Sequence, residues 1–371
     1  MIHIPLYTIR HRQIGGTEFA IYNLLRGLAL SGTDVRATCG READLAAEFL
    51  GWARSYDNLE LVEAGGLPGP KGVRFLEEAL YDFRRRGDDW ALYPNYFCPT
   101  TPGKKGPRAV LVHDIQYKRY PEYHSAKRRA WLDLILSHSF RKADRVLVIS
   151  RSELALIEEY FGPAAAARCA VIHNAIDWQR FDADASAAGG AAAASNYILS
   201  VCHQFPHKNV RTLLMAFAEV AERDRDVELH LVGAASPDNL AFIHSGLPDS
   251  VRARVHITGF VSDARLAALY RHARLFVLPS LYEGFGMPAV EALGFGIPTL
   301  VSRAYSLPEV TLGYADYVDD PLDHHEWAER ISHQLNHEMR PTVDQVEKIR
   351  LTYDPKTVAH SLLEVLRQSN G

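Results

Sequence analysis

Residues 275–302 read LFVLPSLYEGFGMPAVEALGFGIPTLVS. The apolar run Leu275–Leu278 is expected to form a buried strand. A loop follows with Glu283, Gly284 and Gly286. Pro288 suits the first position of a helix, where its missing N–H costs nothing, and Glu291 then lies about one turn into that helix. Free backbone N–H groups and the positive dipole end of such a strand–loop–helix unit receive anionic ligands. Two carboxylates beside a phosphate site make sense if they accept hydrogen bonds from hydroxyls. The stretch therefore points to a sugar nucleotide.

The whole chain has 371 residues, a length that favours two domains. Composition is globular, with 47% hydrophobic and 23% charged residues. No apolar run is long enough to cross a bilayer, and the start MIHI reads as a first strand rather than a signal peptide. Cys39, Cys98, Cys169 and Cys202 are scattered, without the spacing of a disulfide framework or zinc site. These features predict a cytoplasmic chain without a disulfide framework or zinc site. The net charge of −4 hides an asymmetry: residues 1–180 hold 25 Lys+Arg against 21 Asp+Glu, and the rest 16 against 24. Much of the basic excess is YKRYPEYHSAKRR, residues 117–129. It reads either as a solvated helix face or as a surface for an anionic acceptor or inner-membrane headgroups. The first half is not basic enough for a nucleic-acid partner.

Short apolar strands alternate with helical segments, which implies an α/β protein with parallel sheets. In the first half, strands are expected at Ile2–Leu6, Ala109–Val112, Arg145–Ile149 and Val171–Ile172. Helices are expected at Phe19–Leu30, Trp131–Phe140 and Glu153–Tyr160. The stretch DADASAAGGAAAASN, residues 182–196, has nothing large to bury and reads as a linker. The pattern restarts with strands at Tyr197–Val201, Glu228–Val232 and Val255–Thr258, and helices from Asn209 and over Asp263–His272. This predicts two doubly wound domains: residues 1–180 on the acceptor side, a linker at 181–196, and a nucleotide-sugar domain at 197–352. Residues 353–371 are expected to be a helix that packs back on the first domain. Ligands bind beyond the carboxyl ends of strands in such sheets.

At Glu283-Gly-Phe-Gly-Met-Pro-Ala-Val-Glu291 the sequence resembles retaining glycosyltransferases of family 4, which carry a Glu-x7-Glu signature. Pro279-Ser280, Gly296-Ile-Pro298 and Ser306-Leu-Pro-Glu309 extend the resemblance. It implies the GT-B fold, two Rossmann-like domains facing a central cleft. By that resemblance Glu283 bonds the transferred sugar, the backbone at Phe285, Gly286 and Met287 approaches sugar and diphosphate, and Glu291 accepts the ribose hydroxyls. The chemistry agrees, since a carboxylate accepts from a vicinal diol with both oxygens.

Other strand ends match the same family. Gly15-Gly16 follows the first strand, where the family places a loop beneath the donor phosphates. His113-Asp114 matches its His-Asp motif, with His113 bonding the donor sugar. Lys208, ahead of Asn209, suits a clamp that offsets charge on a leaving diphosphate. Many members carry an Arg about five residues before that lysine; here His203 stands there, either sharing the phosphate as imidazolium or leaving Lys208 to work alone. The pair His203 and His207 lies on a loop without a Cys, Asp or Glu partner beside it, a poor metal motif. Asn174-Ala-Ile-Asp177 resembles the family's Asn-Gly-Val-Asp segment, with Ala175 in place of Gly.

The reading is thus a retaining, metal-independent glycosyl transfer from a nucleoside-diphosphate sugar, needing no cofactor. The HDIQ and YPEY neighbourhoods look like members that assemble surface polysaccharide from GDP-sugars. They favour GDP-mannose or GDP-rhamnose over a UDP-sugar, and a glycan or polyprenyl-linked glycan acceptor. Two rivals are a sugar-nucleotide epimerase or hydrolase of the same fold, which needs a further acid/base pair, and a non-catalytic carbohydrate-binding protein, which need not keep His113, Lys208 and both glutamates.

Overall fold

The computed structural model describes residues 1–9, 11, 16–66, 73–85, 87–102, 106–182 and 196–368. The chain divides into two compact units, Met1–Ile176 with Tyr353–Gly371, and Asp177–Thr352. Both are α/β, with every strand pairing parallel.

The first unit holds β1 (Ile2–Pro5), β2 (Val35–Cys39), β3 (Leu59–Glu63), β4 (Trp90–Tyr93), β5 (Arg108–Val112), β6 (Arg145–Val148) and β7 (Cys169–Val171). Their order is β3-β2-β1-β4-β5-β6-β7. β2, β3 and β4 were not evident from the sequence. VRATC and LELVE interleave charge with short apolar residues, while WALY follows a charged turn. Neighbouring strands, rather than their own pattern, commit these segments to a sheet.

The second unit holds β8 (Tyr197–Val201), β9 (Glu228–Val232), β10 (Val255–Gly259), β11 (Leu275–Leu278), β12 (Thr299–Ser302) and β13 (Asp316–Val318), in the order β10-β9-β8-β11-β12-β13. The chain winds outward from β8 in one direction and from β11 in the other. Their junction is the switch point at which doubly wound sheets open a crevice for ligands. Two apolar layers sandwich this sheet. Ile198, Leu229 and Leu231 pack with Phe217 and Trp327 on one face. Tyr197, Leu199 and Val232 pack with Tyr270, Ala289 and Leu307 on the other.

Residues 177–180, placed with the first domain by sequence, group with the second unit. Their side chains explain why. Trp178 lies against Gly294, where an added Cβ would come within 2.3 Å of the indole, and its Nε1–H donates to the Arg350 carbonyl at 3.1 Å. Arg271 donates to the Phe181 carbonyl at 2.7 Å. Residues 183–195, most of the expected linker, lie outside the described residues.

In the first unit, the helix Pro355–Arg367 packs on the helix Gly16–Leu30. Leu25, Leu28, Ala359 and Leu362 are all buried, each large side chain contributing roughly 1.5–3 kcal/mol. Close approach depends on Gly27: a Cβ there would sit 2.0 Å from the Pro355 carbonyl oxygen. The Tyr353 carbonyl also accepts from the Ile176 N–H at 2.8 Å. Gly27→Ala is therefore expected to force these helices apart and cost about 1–3 kcal/mol, read as a lower denaturation midpoint, with Gly51→Ala, a helical glycine that faces open space, as the control.

Candidate active site

Lys208 and Glu283 leave the carboxyl ends of β8 and β11, on either side of the switch point. Lys208 ends a short turn of 3₁₀ helix, Pro206–Lys208, and Asn209 takes the left-handed conformation with φ 55°. Asn tolerates that region because its side chain can bond locally. Here its amide donates to the Pro279 carbonyl at 3.1 Å and the Pro321 carbonyl at 2.6 Å, while its oxygen accepts from the Thr212 hydroxyl at 2.7 Å. The Leu281 N–H donates to the His207 carbonyl at 2.7 Å. The loops after β8 and β11 are thereby fastened to one another.

Glu283 is buried, and one oxygen does all of its visible bonding. Oε1 accepts from the Ser280 hydroxyl and from Lys208 Nζ, both at 2.7 Å. Oε2 accepts nothing among the described residues. The Ser306 hydroxyl lies 2.8 Å from the Glu283 carbonyl and 2.9 Å from that of Phe285, bracing the turn. Gly286 is left-handed at φ 92°, and a Cβ there would approach Leu307 to 2.7 Å. The helix runs Met287–Gly294, so Pro288 is its second residue rather than its first. The N–H groups of Gly286 and Met287 have no acceptor among the described residues, as expected at a helix start.

Glu291 lies on the buried face of that helix. Arg180 Nη2 donates to its Oε1 at 2.6 Å and the Tyr270 hydroxyl to its Oε2 at 2.8 Å. Burial raises its pKa, opposed by the Arg180 charge and the Tyr270 hydrogen bond. Two protein donors thus occupy part of a group that offers about four lone-pair positions. Neither partner was singled out from the sequence, because they lie 111 and 21 residues away.

For His203, burial and then the neighbouring Lys208 charge both lower the pKa, which works against the imidazolium alternative. The ring lies 5.0 Å from Phe260 and 5.9 Å from Phe205, both well exposed. His113, in the first unit, is neutral: burial takes its pKa down to about 4. Its Nε2–H donates to the Pro94 carbonyl at 2.8 Å, which leaves Nδ1 as the acceptor. The strand end is anchored by the buried Glu153, whose carboxylate accepts from the Ile115 N–H at 3.0 Å; in the sequence Glu153 reads only as a helix residue. Gly16 opens its helix and is exposed, while Gly15 lies outside the described residues. Ala175 is not among the residues of positive φ, and its carbonyl accepts from Asn23 at 2.8 Å, so alanine fits there without strain. In the basic stretch, Lys118 pairs with Asp133 at 2.7 Å, whereas Lys127 and Arg128 are exposed. All four cysteines are free.

The family described as Glycosyltransferase Family 4 matches residues 14–180, and Glycosyl transferases group 1 matches residues 183–349. The O-antigen chain mannosyltransferase B of Escherichia coli is 32% identical over 285 residues, spanning 71% of this chain and 68% of that one. A GDP-mannose:cellobiosyl-diphosphopolyprenol alpha-mannosyltransferase of Xanthomonas campestris is 23% identical over 300 residues, 79% of this chain and 76% of that one. The structure of sucrose-phosphate synthase from Thermosynechococcus elongatus superposes with a TM-score of 0.75 over 99% of this chain and 98% of that chain, at 19% identity. Two doubly wound units with a carboxylate pair at the second switch point define a glycosyltransferase of the GT-B fold. The chain belongs to glycosyltransferase family 4.

Two titrations test these environments, and their signs are opposite. His113 has a lowered pKa in the folded state, so its contribution is complete above the unfolded value of 6.5 and is lost as pH falls toward about 4. Thermal melts of His113→Gln should decline less over that window than wild type. Glu291 has a raised pKa, so the carboxyl is easiest to bury at low pH. Arg180→Met strands it and should cost about 3–5 kcal/mol at neutral pH. That loss should shrink as pH falls through the raised pKa and the carboxyl takes a proton, as followed by urea unfolding.

Proposed function

We propose that the protein transfers a hexose, with mannose favoured over rhamnose, from a GDP-sugar to a glycan or polyprenyl-linked glycan, with retention of configuration and without a metal. The observation that carries this reading is the asymmetric bonding of Glu283. One oxygen is locked by Ser280 and Lys208, and the other is left to accept a sugar hydroxyl. Mannosyltransferase relatives support the sugar, and the GDP-mannose named for the Xanthomonas enzyme supports the base.

In this mechanism the diphosphate lies at the N–H groups of Gly286 and Met287, beside the Phe285 backbone, and against Lys208. Phe205 and Phe260 beside His203 provide an apolar wall for the nucleobase. Glu291 accepts the ribose hydroxyls with the lone pairs that Arg180 and Tyr270 leave. Gly15, Gly16 and His113 keep the roles that the family resemblance implies for them, toward the donor phosphates and the transferred sugar. The acceptor hydroxyl oxygen bonds to the anomeric carbon on the face from which the phosphate departs. The bond from that carbon to the phosphate oxygen breaks, and the departing oxygen takes the acceptor proton. Lys208 and the helix-end N–H groups stabilise its charge.

Family membership favours transfer over the epimerase, hydrolase and non-catalytic readings. The exposed Trp131 and Leu134 share the helix Ala126–Lys142 with Lys127 and Arg128. They favour peripheral contact with an anionic inner-membrane surface, at the cytoplasmic side where the donor is available.

Glu283→Ala should lower kcat by about 10²–10³-fold, while GDP still raises the melting temperature, because the nucleotide contacts remain. Lys208→Ala should weaken both. Undiminished transfer by Glu283→Ala, or a product of inverted anomeric configuration by NMR, contradicts the proposal.

A further inference from the structure

In the second sheet, His230 of β9 stands directly opposite His256 of β10 in register. Side chains alternate along strands, so Glu228 and His230 share a face while Leu229 and Leu231 enter the apolar layer on the other. The polar face is organised. Tyr197 stacks on His230 with ring centroids 4.2 Å apart, and the two imidazoles are 4.8 Å apart. Glu228 Oε2 lies 2.9 Å from His230 Nε2 and 3.4 Å from His256 Nε2. The second of these contacts is not a hydrogen bond. His256 Nε2 is closed to solvent and has no hydrogen-bond partner, although it faces a carboxylate oxygen.

We propose that Glu228, His230 and His256 form a binding site for one divalent transition-metal ion, of which zinc is the best match. Two imidazoles and one carboxylate are a recurrent zinc ligand set that keeps a fourth position for water. The three donor atoms already lie within 4.8 Å of one another. A tetrahedral ion with bonds of about 2.0–2.1 Å needs donors about 3.3 Å apart, which small side-chain rotations provide. His230 is largely buried, with its side chain 16% exposed, and Glu228 and His256 flank it on the same face. The ion would cross-link β10, at the sheet edge, to β9. It would sit on the sheet's face, apart from the loops after β8 and β11, so the transfer itself stays metal-independent. The site does not rest on the proposed donor or acceptor.

A second group, Glu219 with His324 and His325, is more open, with the His325 side chain 70% exposed, and it supplies the control. Full-length protein stripped with a chelator would be titrated with zinc at neutral pH by calorimetry and thermal shift. Wild type should bind one equivalent tightly and melt at a higher temperature. His256→Ala and Glu228→Gln should each weaken that equivalent at least about tenfold, with unchanged circular dichroism, while His324→Ala/His325→Ala should keep it. Failure of wild type to bind, retention of full affinity in His256→Ala, or loss of the equivalent in His324→Ala/His325→Ala each overturns the proposal.

Discussion

Asn209 is the residue on which the meeting of Lys208 and Glu283 depends. Its left-handed backbone turns the chain from β8 into the next helix, and its amide ties that turn to the strand-end carbonyl of Pro279 and to Pro321. Lys208 is thereby delivered within 2.7 Å of Glu283 although 75 residues separate them. A glycine would supply the backbone conformation but none of the three side-chain bonds. A larger residue would supply neither. The lysine–asparagine pair thus divides its work, one residue carrying charge and the other fixing where that charge stands.

The two carboxylates of the signature occupy opposite electrostatic situations. Glu283 has a cation and a hydroxyl on one oxygen, and its second oxygen has no donor among the described residues. Glu291 has a donor on each oxygen, and burial still raises its pKa. A buried carboxylate without a partner is costly, and Arg180 and Tyr270 offset that cost for Glu291 inside the helix packing. This also explains why the segment after Ile176 belongs with the second unit. Arg180 reaches Glu291 only because Trp178 seats that segment on Gly294.

The sequence made the second unit easier to read than the first. β8, β9, β10 and β11 each show an apolar run or clean alternation, and the signature between β11 and β12 fixes a strand, a turn and a helix in order. β2, β3 and β4 carry weaker patterns, and β13 has only three residues. The assigned roles rested on local spacing, which shows what Glu283 and Lys208 can do but not what holds them. Ser280, Ser306 and Tyr270 look like ordinary loop or helix residues in one dimension. Arg180 fell on the wrong side of the expected boundary because the alanine-rich stretch after it resembles a linker more than Asp177–Arg180 does.

His203 shows how far resemblance carries a residue. The family pattern calls for a cation there, and a histidine offers one only if it takes a proton. Burial against aromatic rings and the charge of Lys208 both oppose that. The two influences act in the same direction, and the positive neighbour that would share the phosphate is one of them. Lys208, paired with Glu283, and the backbone N–H groups at the start of Met287–Gly294 are then the donors these loops present. The backbone dipoles carry no titratable proton, so the helix start keeps its polarity at any pH at which the fold survives.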